Sequence, residues 1–177
     1  MVYYSMVGVD PGLVHTGIVA LHLDTEARTH EVDYRIIQGE PMPDKAAARS
    51  RVLIDNTALV RTAVDEFLGM GEMHGFIEKY VDRGTVFQTH GPMREFEHLL
   101  KDALPGFKII DNMGSKQIAV PPLMKAFHLN TFPTTNHRDL QAAARILMFG
   151  ALKDDELNKV LTEYMIDFVD GNPWKTA

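Results

Sequence analysis

The sequence predicts an α/β domain built on a mixed five-stranded sheet, its first three strands antiparallel and its faces flanked by helices. Three observations predict it. Two apolar runs at 6–10 and 17–23 are separated by the turn pair Pro11-Gly12. A long helical period then occupies 45–68. Two later short apolar runs, 74–78 and 107–110, are each preceded by a helical segment, which suits parallel pairing through crossovers.

The elements follow in order. Residues 31–38 alternate roughly and supply the third strand, before a loop from Gly39 to Asp44 with two prolines. From Lys45 to Leu68, Val52, Leu53, Leu59, Val60, Val64, Phe67 and Leu68 recur at helical spacing, and Gly69 and Gly71 end the run. His74 to Glu78 is a short buried strand ending in an acid. Tyr80 to Gly91 reads as a polar loop, Pro92 to Leu104 as a helix stopped by Pro105-Gly106, and Phe107 to Ile110 as a strand. Pro121 to Phe127 is a short helix with proline placed early. Asn136 to Leu152 is a strong Ala- and Leu-rich helix, and an acidic amphipathic helix covers about 154–170. No repeat or linker divides the chain, so residues 1–177 are expected to form one domain.

Composition narrows the classes. The 177 residues are 45% hydrophobic and 24% charged, as in soluble globular proteins, and no apolar run is long enough to span a bilayer. The start of the sequence lacks the basic and apolar pattern of a secretory signal, so a cytoplasmic location is expected. The absence of cysteine removes disulfides, thiolate metal sites and a Cys nucleophile. The net charge of −6 opposes nucleic-acid binding, which needs Lys and Arg. Residues 153–170 alone carry −4, however, so the remainder is only −2 and leaves room for a local basic surface.

Three acids occupy similar junctions. Asp10 ends the first strand, Glu78 ends a later one, and Asp139 lies in the first turn of the helix near Asn136. In a sheet of this type strand ends and helix starts converge on one edge. Crowded carboxylates repel one another unless cations neutralise them, and Mg²⁺ and Mn²⁺ prefer oxygen ligands. Two ions about 4 Å apart stabilise both the attacking and the leaving oxygens of a phosphodiester. Singly, each acid has a plainer reading. Asp10 before Pro-Gly suits a turn, Glu78 suits a surface pair with Lys79 or Arg83, and Asp139 suits the helix dipole.

The segment Val7 to Val19 (Val-Gly-Val-Asp-Pro-Gly-Leu-Val-His-Thr-Gly-Ile-Val), then Phe76-Ile77-Glu78, then His137 to Arg145 (His-Arg-Asp-Leu-Gln-Ala-Ala-Ala-Arg) resemble the three motifs of RuvC-like Holliday-junction resolvases in the RNase H-like superfamily. The Ala-Ala-Arg helix and the following Leu-Lys-Asp resemble the bacteriophage variant, and the expected cytoplasm is that of a bacterial host if the protein is phage-encoded. The resemblance spans roughly residues 6–153. It implies an RNase H-like fold, hydrolysis of branched DNA with two Mg²⁺ ions (Mn²⁺ substituting), and a homodimer. Asp10, Glu78 and Asp139 match the metal-binding acids. A fourth ligand, Asp or His, usually stands three residues before the last acid. Here that residue is Asn136, with His137 beside it. Either Asn136 supplies a carbonyl oxygen or His137 ligates, and His137 is the expected ligand; a surface or capping histidine is the alternative.

DNA contacts are expected from Lys79 and Arg83 after Glu78, from Lys116 in a polar stretch resembling the family's basic loop, and from Lys125. Lys116 is also expected to stabilise charge on the phosphate. Phe87 suits stacking on an unpaired base, or core packing. Arg49, Arg51 and Arg61 add positive charge to the long helix, or pair along its surface. The helix's apolar face serves its own sheet, a dimer interface, or both.

Rival readings remain. An actin- or sugar-kinase-type phosphotransferase also begins with an Asp-Gly hairpin, but needs two such lobes and the chain has one. A related nuclease would cut flaps or RNA–DNA hybrids. A non-catalytic junction-binding protein fits the missing acid at Asn136.

Overall fold

Alternation along the first strand sets the layering. In β1 (Tyr3–Asp10), Tyr4 and Met6 enter one apolar core while Val7 and Val9 enter another on the opposite face. The computed structural model describes residues 3–67, 72–81, 87–111 and 119–177, with 87–90 described by backbone alone. The Gly69–Gly71 helix stop, Arg83 and Lys116 lie outside the described residues, as does the side chain of Phe87.

β2 (His15–Asp24) pairs antiparallel with β1, Asp10 opposite Gly17, and β3 (Thr29–Gln38) pairs antiparallel with β2. The chain then crosses through α1 (Ala46–Glu66) to β4 (Glu72–Glu78), which lies parallel to β1 with Gly8 opposite Phe76. A second crossover, α2 (Phe87–Ala103), leads to β5 (Lys108–Ile110), parallel to β4. After α3 (Val120–Ala126), α4 (His137–Leu152) and α5 (Asp155–Val169), a two-residue strand β6 (Lys175–Thr176) pairs with β3. The sheet order is β5-β4-β1-β2-β3-β6.

The mixed sheet with three leading antiparallel strands follows the sequence. Two details differ. The sheet has a sixth strand, held where Lys175 N–H donates to the Arg28 carbonyl at 2.9 Å and Trp174 Nε1 donates to Asp167 at 2.8 Å. The second crossover helix begins at Phe87 and takes Gly91 and Pro92 into its body.

α1 lays Leu53, Val60, Ala63 and Val64 against Val7, Val9, Ile18 and Ala20, beside Phe96 and Leu100 of α2. Its apolar face thus serves its own sheet. Arg61 pairs with Asp65 at 2.8 Å along the helix surface. The opposite face of the sheet carries α4, buried almost all round because α3 and α5 cover its outer side.

α4 approaches the sheet unusually closely. A Cβ on Gly8 would lie 2.2 Å from the Ala143 carbonyl oxygen, and one on Gly17 would lie 2.4 Å from the Asp139 carbonyl oxygen. At the other end of the helix, a Cβ on Gly150 would strike the Phe76 ring at 2.3 Å. Glycine within a strand costs about 0.5–1 kcal/mol relative to alanine. Burying Leu140, Ile146, Leu147, Met148 and Phe149 is worth about 1.5–3 kcal/mol each, so close packing wins.

The acidic helix α5 lies at the sheet end remote from Asp10. Its N-cap Asp154 accepts from Glu156 N–H and Leu157 N–H and from Lys108 Nζ at 2.8 Å, with His74 at 3.7 Å. Glu156 accepts from the Tyr4 hydroxyl at 2.7 Å, and Asp167 pairs with Arg28 at 3.4 Å. Tyr4, His74 and Lys108 all stand near the starts of their strands.

Two outcomes are expected. Gly17→Ala pushes backbone against backbone and costs about 1–3 kcal/mol, read as a lower thermal midpoint. Asp154→Ala loses the cap and costs about 1 kcal/mol near neutral pH. The Lys108 ammonium beside Asp154 holds its carboxyl below the ordinary carboxylate value, with the Leu157 N–H and His74 acting the same way against burial. That stabilisation is present above pH of about 4 and is lost as pH falls through the depressed folded value. Urea unfolding should therefore separate the variant from the parent at pH 7 and bring the two together in strong acid.

Candidate metal centre and phosphodiester site

Pairing register brings the acids together. Val9 stands opposite Ile77 in the parallel β1–β4 ladder, so the next residues, Asp10 and Glu78, end adjacent strands side by side. Asp10 shares a strand face with Met6 and Gly8, and Glu78 shares one with Phe76, so both point toward α4. Gly17, opposite Asp10, is the residue against which the first turn of α4 packs, and this sets Asp139 over the same edge.

The electrostatics record the convergence. The Asp10 carboxyl is pushed up to about 9. Burial is the largest cause, followed by its hydrogen bond to Glu78, the Glu78 charge and the Asp139 charge, with Arg145 acting in the opposite direction. Burial and the neighbouring acids thus favour the protonated form of Asp10, and Asp139 stands close enough to be felt. Among the described residues no group of three His, Asp or Glu side chains closes around one point as it stands. The Asp10–Glu78 pair is in contact, and Asp139 acts on Asp10 through its charge.

The surrounding backbone is held firmly. Gly12 fits because a Cβ there would meet the His15 carbonyl oxygen at 2.1 Å, and the Thr16 hydroxyl donates to the Gly12 carbonyl at 3.2 Å across the turn. Lys79 N–H donates to the Ile110 carbonyl at 2.8 Å, and Tyr80 N–H donates to Glu97 of α2 at 2.5 Å. The segment leaving Glu78 is therefore anchored while the Lys79 side chain stays exposed.

Asn136 is the N-cap of α4, and its carbonyl accepts from Asp139 N–H at 3.2 Å. His137 is the first helical residue and is exposed. Among the described residues, no side-chain hydrogen bond or ion pair joins either one to the acids. Lys125 is exposed on the last turn of α3. Sequence reasoning passed over Arg145 and Glu97. Arg145 lies four residues after Gln141 on one face of the Asp139 helix, a spacing visible in the sequence. Glu97 has no such signal, because its partner is a backbone N–H on another element.

The donor chemistry suits a hard divalent cation: carboxylate oxygens at one edge, one of them holding a proton against burial and neighbouring negative charge. An ion there would relieve the same repulsion that the proton relieves.

No protein-family model matches the sequence, and no curated protein matches it. Solved structures do. Thermus thermophilus RuvC in complex with a Holliday-junction substrate superposes with a TM-score of 0.57 and 15% identity, over 84% of this chain and 91% of that one. A second structure of Thermus thermophilus RuvC gives a TM-score of 0.54 at 15% identity, over 82% and 91%. At this identity the likeness is one of fold: the chain has the RNase H-like architecture of RuvC.

Proposed function

We propose that the protein is a metal-dependent endonuclease that resolves Holliday junctions or other branched DNA by phosphodiester hydrolysis. The observation that carries this reading is the meeting of Asp10, Glu78 and Asp139 at one sheet edge, on a fold shared with a protein solved on a junction substrate. Asp10, Glu78 and Asp139 would hold two Mg²⁺ ions, or Mn²⁺, with His137 or the Asn136 carbonyl as a further ligand. Bound ions would supply a nucleophile near neutral pH and stabilise charge on the leaving 3′ oxygen.

The chain's own groups have separate tasks. Asp10, whose protonated form burial and its acidic neighbours favour, would give up that proton where a cation is held. The anchored segment after Glu78 presents Lys79 to the DNA backbone, with Arg83 assigned there by its place after Glu78 and Lys116 and Phe87 by resemblance. Branch geometry is read by shape and phosphate position rather than by base edges. The Ala143-Ala144-Arg145 and Leu152-Lys153-Asp154 runs favour the bacteriophage type, acting as a homodimer. No helix among the described residues is long and apolar enough to cross a membrane.

The test compares a synthetic four-way junction, a flap, an RNA–DNA hybrid and a linear duplex, each with Mg²⁺ and with Ca²⁺. The reading expects Mg²⁺-dependent cutting of the junction in preference to linear duplex, and loss of more than about 100-fold of that activity in Asp10→Asn. Full activity in Asp10→Asn would remove the site. Preference for the hybrid or the flap would transfer the protein to a different nuclease substrate. Junction binding without cutting in every metal would favour a non-catalytic binder, the reading to which Asn136 points.

A further inference from the structure

Between α3 and α4 lies a groove of about 530 Å³. Pro121, Met124 and Lys125 line one wall, Gln141 and Arg145 the other, and Asn130 lies between them. Gln141 donates from Nε2 to the Asn130 carbonyl and ties the two walls together. The lining holds two cations and no acid among the described residues, in a chain whose net charge is −6. Among the described residues, neither the Lys125 nor the Arg145 side chain makes an ion pair or a hydrogen bond. Arg145 links the groove to the acids, since its charge acts on Asp10. Arg138, seven residues earlier on the same face of α4 and exposed, extends the positive stripe toward the site.

A half-buried guanidinium with no hydrogen bond or ion pair among the described residues has donors to offer an anion. Arginine binds phosphate through a planar fork of donors, and lysine adds a point charge. The apolar part of the wall suits a sugar or a base edge. We propose that the α3–α4 groove is a phosphodiester track, in which the strand reaching the acid site lays its phosphates on Arg145 and Lys125 and its sugar against Pro121 and Met124. This rests on the reading that the acids act on a phosphodiester. It assigns Arg145 a binding role that is separate from the chemistry.

The experiment measures binding of a fluorescent four-way junction and of a fluorescent single-stranded oligonucleotide, both in Ca²⁺, across a series of NaCl concentrations. Lys125→Gln, Arg145→Gln and the double variant are compared with the parent. Lys159→Gln, an exposed charge on α5 outside the groove, serves as the control, and thermal melting confirms that each variant folds. The double variant should lower the slope of log affinity against log salt by about 2 on the junction and by about 1.4 on the single strand, with the single variants near half of this. The control should leave the slope unchanged. An unchanged slope in folded double variant, or an equal loss in the control, overturns the track. If the parent shows no preference for the junction and the double variant still flattens the slope on the single strand, the track stands and the junction reading falls.

Discussion

The contact on which the rest depends is backbone against backbone, where α4 lies on the β1–β2 hairpin at Gly8 and Gly17. A helix normally stands off a sheet by the depth of its side chains. Here two missing Cβ atoms let it settle on the strands, and the Ala143 and Asp139 carbonyls come within a side chain's breadth of the hairpin. The approach fixes where the helix begins, and therefore where Asp139 stands relative to Asp10. It also directs Gln141 and Arg145 into the groove beside α3. One packing decision thus sets the third acid and the neighbouring cation together.

Charge is segregated along the same axis. At the edge where β1 and β4 end, acids crowd until Asp10 keeps its proton. At the other end, the acids of α5 are spent on partners: Asp154 on Lys108 and the cap, Glu156 on Tyr4, Asp167 on Arg28 and Trp174. The acidic helix that gives the chain much of its negative charge therefore faces away from the proposed site. A net charge of −6 is compatible with a polyanionic substrate because the surplus is remote from where that substrate would lie.

Much of this was legible in the sequence, for physical reasons. The hairpin, the crossover helix α1, α4 and the order of strands follow from period and turn chemistry, and three acids at element ends are visible without coordinates. The convergence of Asp10 and Glu78 follows once β1 and β4 are parallel neighbours. What escaped depends on tertiary partners. Gly17 only opens the second apolar run in the sequence, whereas the space beside it is filled by another helix. β6 has two residues and no period to read, and its place comes from Trp174 docking on Tyr164 and Asp167. The early start of α2 places Gly91 and Pro92 inside a helix, against their usual reading as breakers. Arg145 was visible only as part of a motif, since its nearness to Asp10 depends on how far α4 sinks onto the sheet.

The central claim is that the Asp10–Glu78 pair and Asp139 form a cation site held ready by that packing. Crystals soaked in Mn²⁺ and measured for anomalous scattering test it most directly. The account predicts density bridged by Asp10, Glu78 and Asp139, with the Asp10–Glu78 hydrogen bond broken, and the same map shows whether His137 or Asn136 completes the shell. An empty edge at saturating Mn²⁺, with the two carboxyls still hydrogen-bonded to each other, would contradict it.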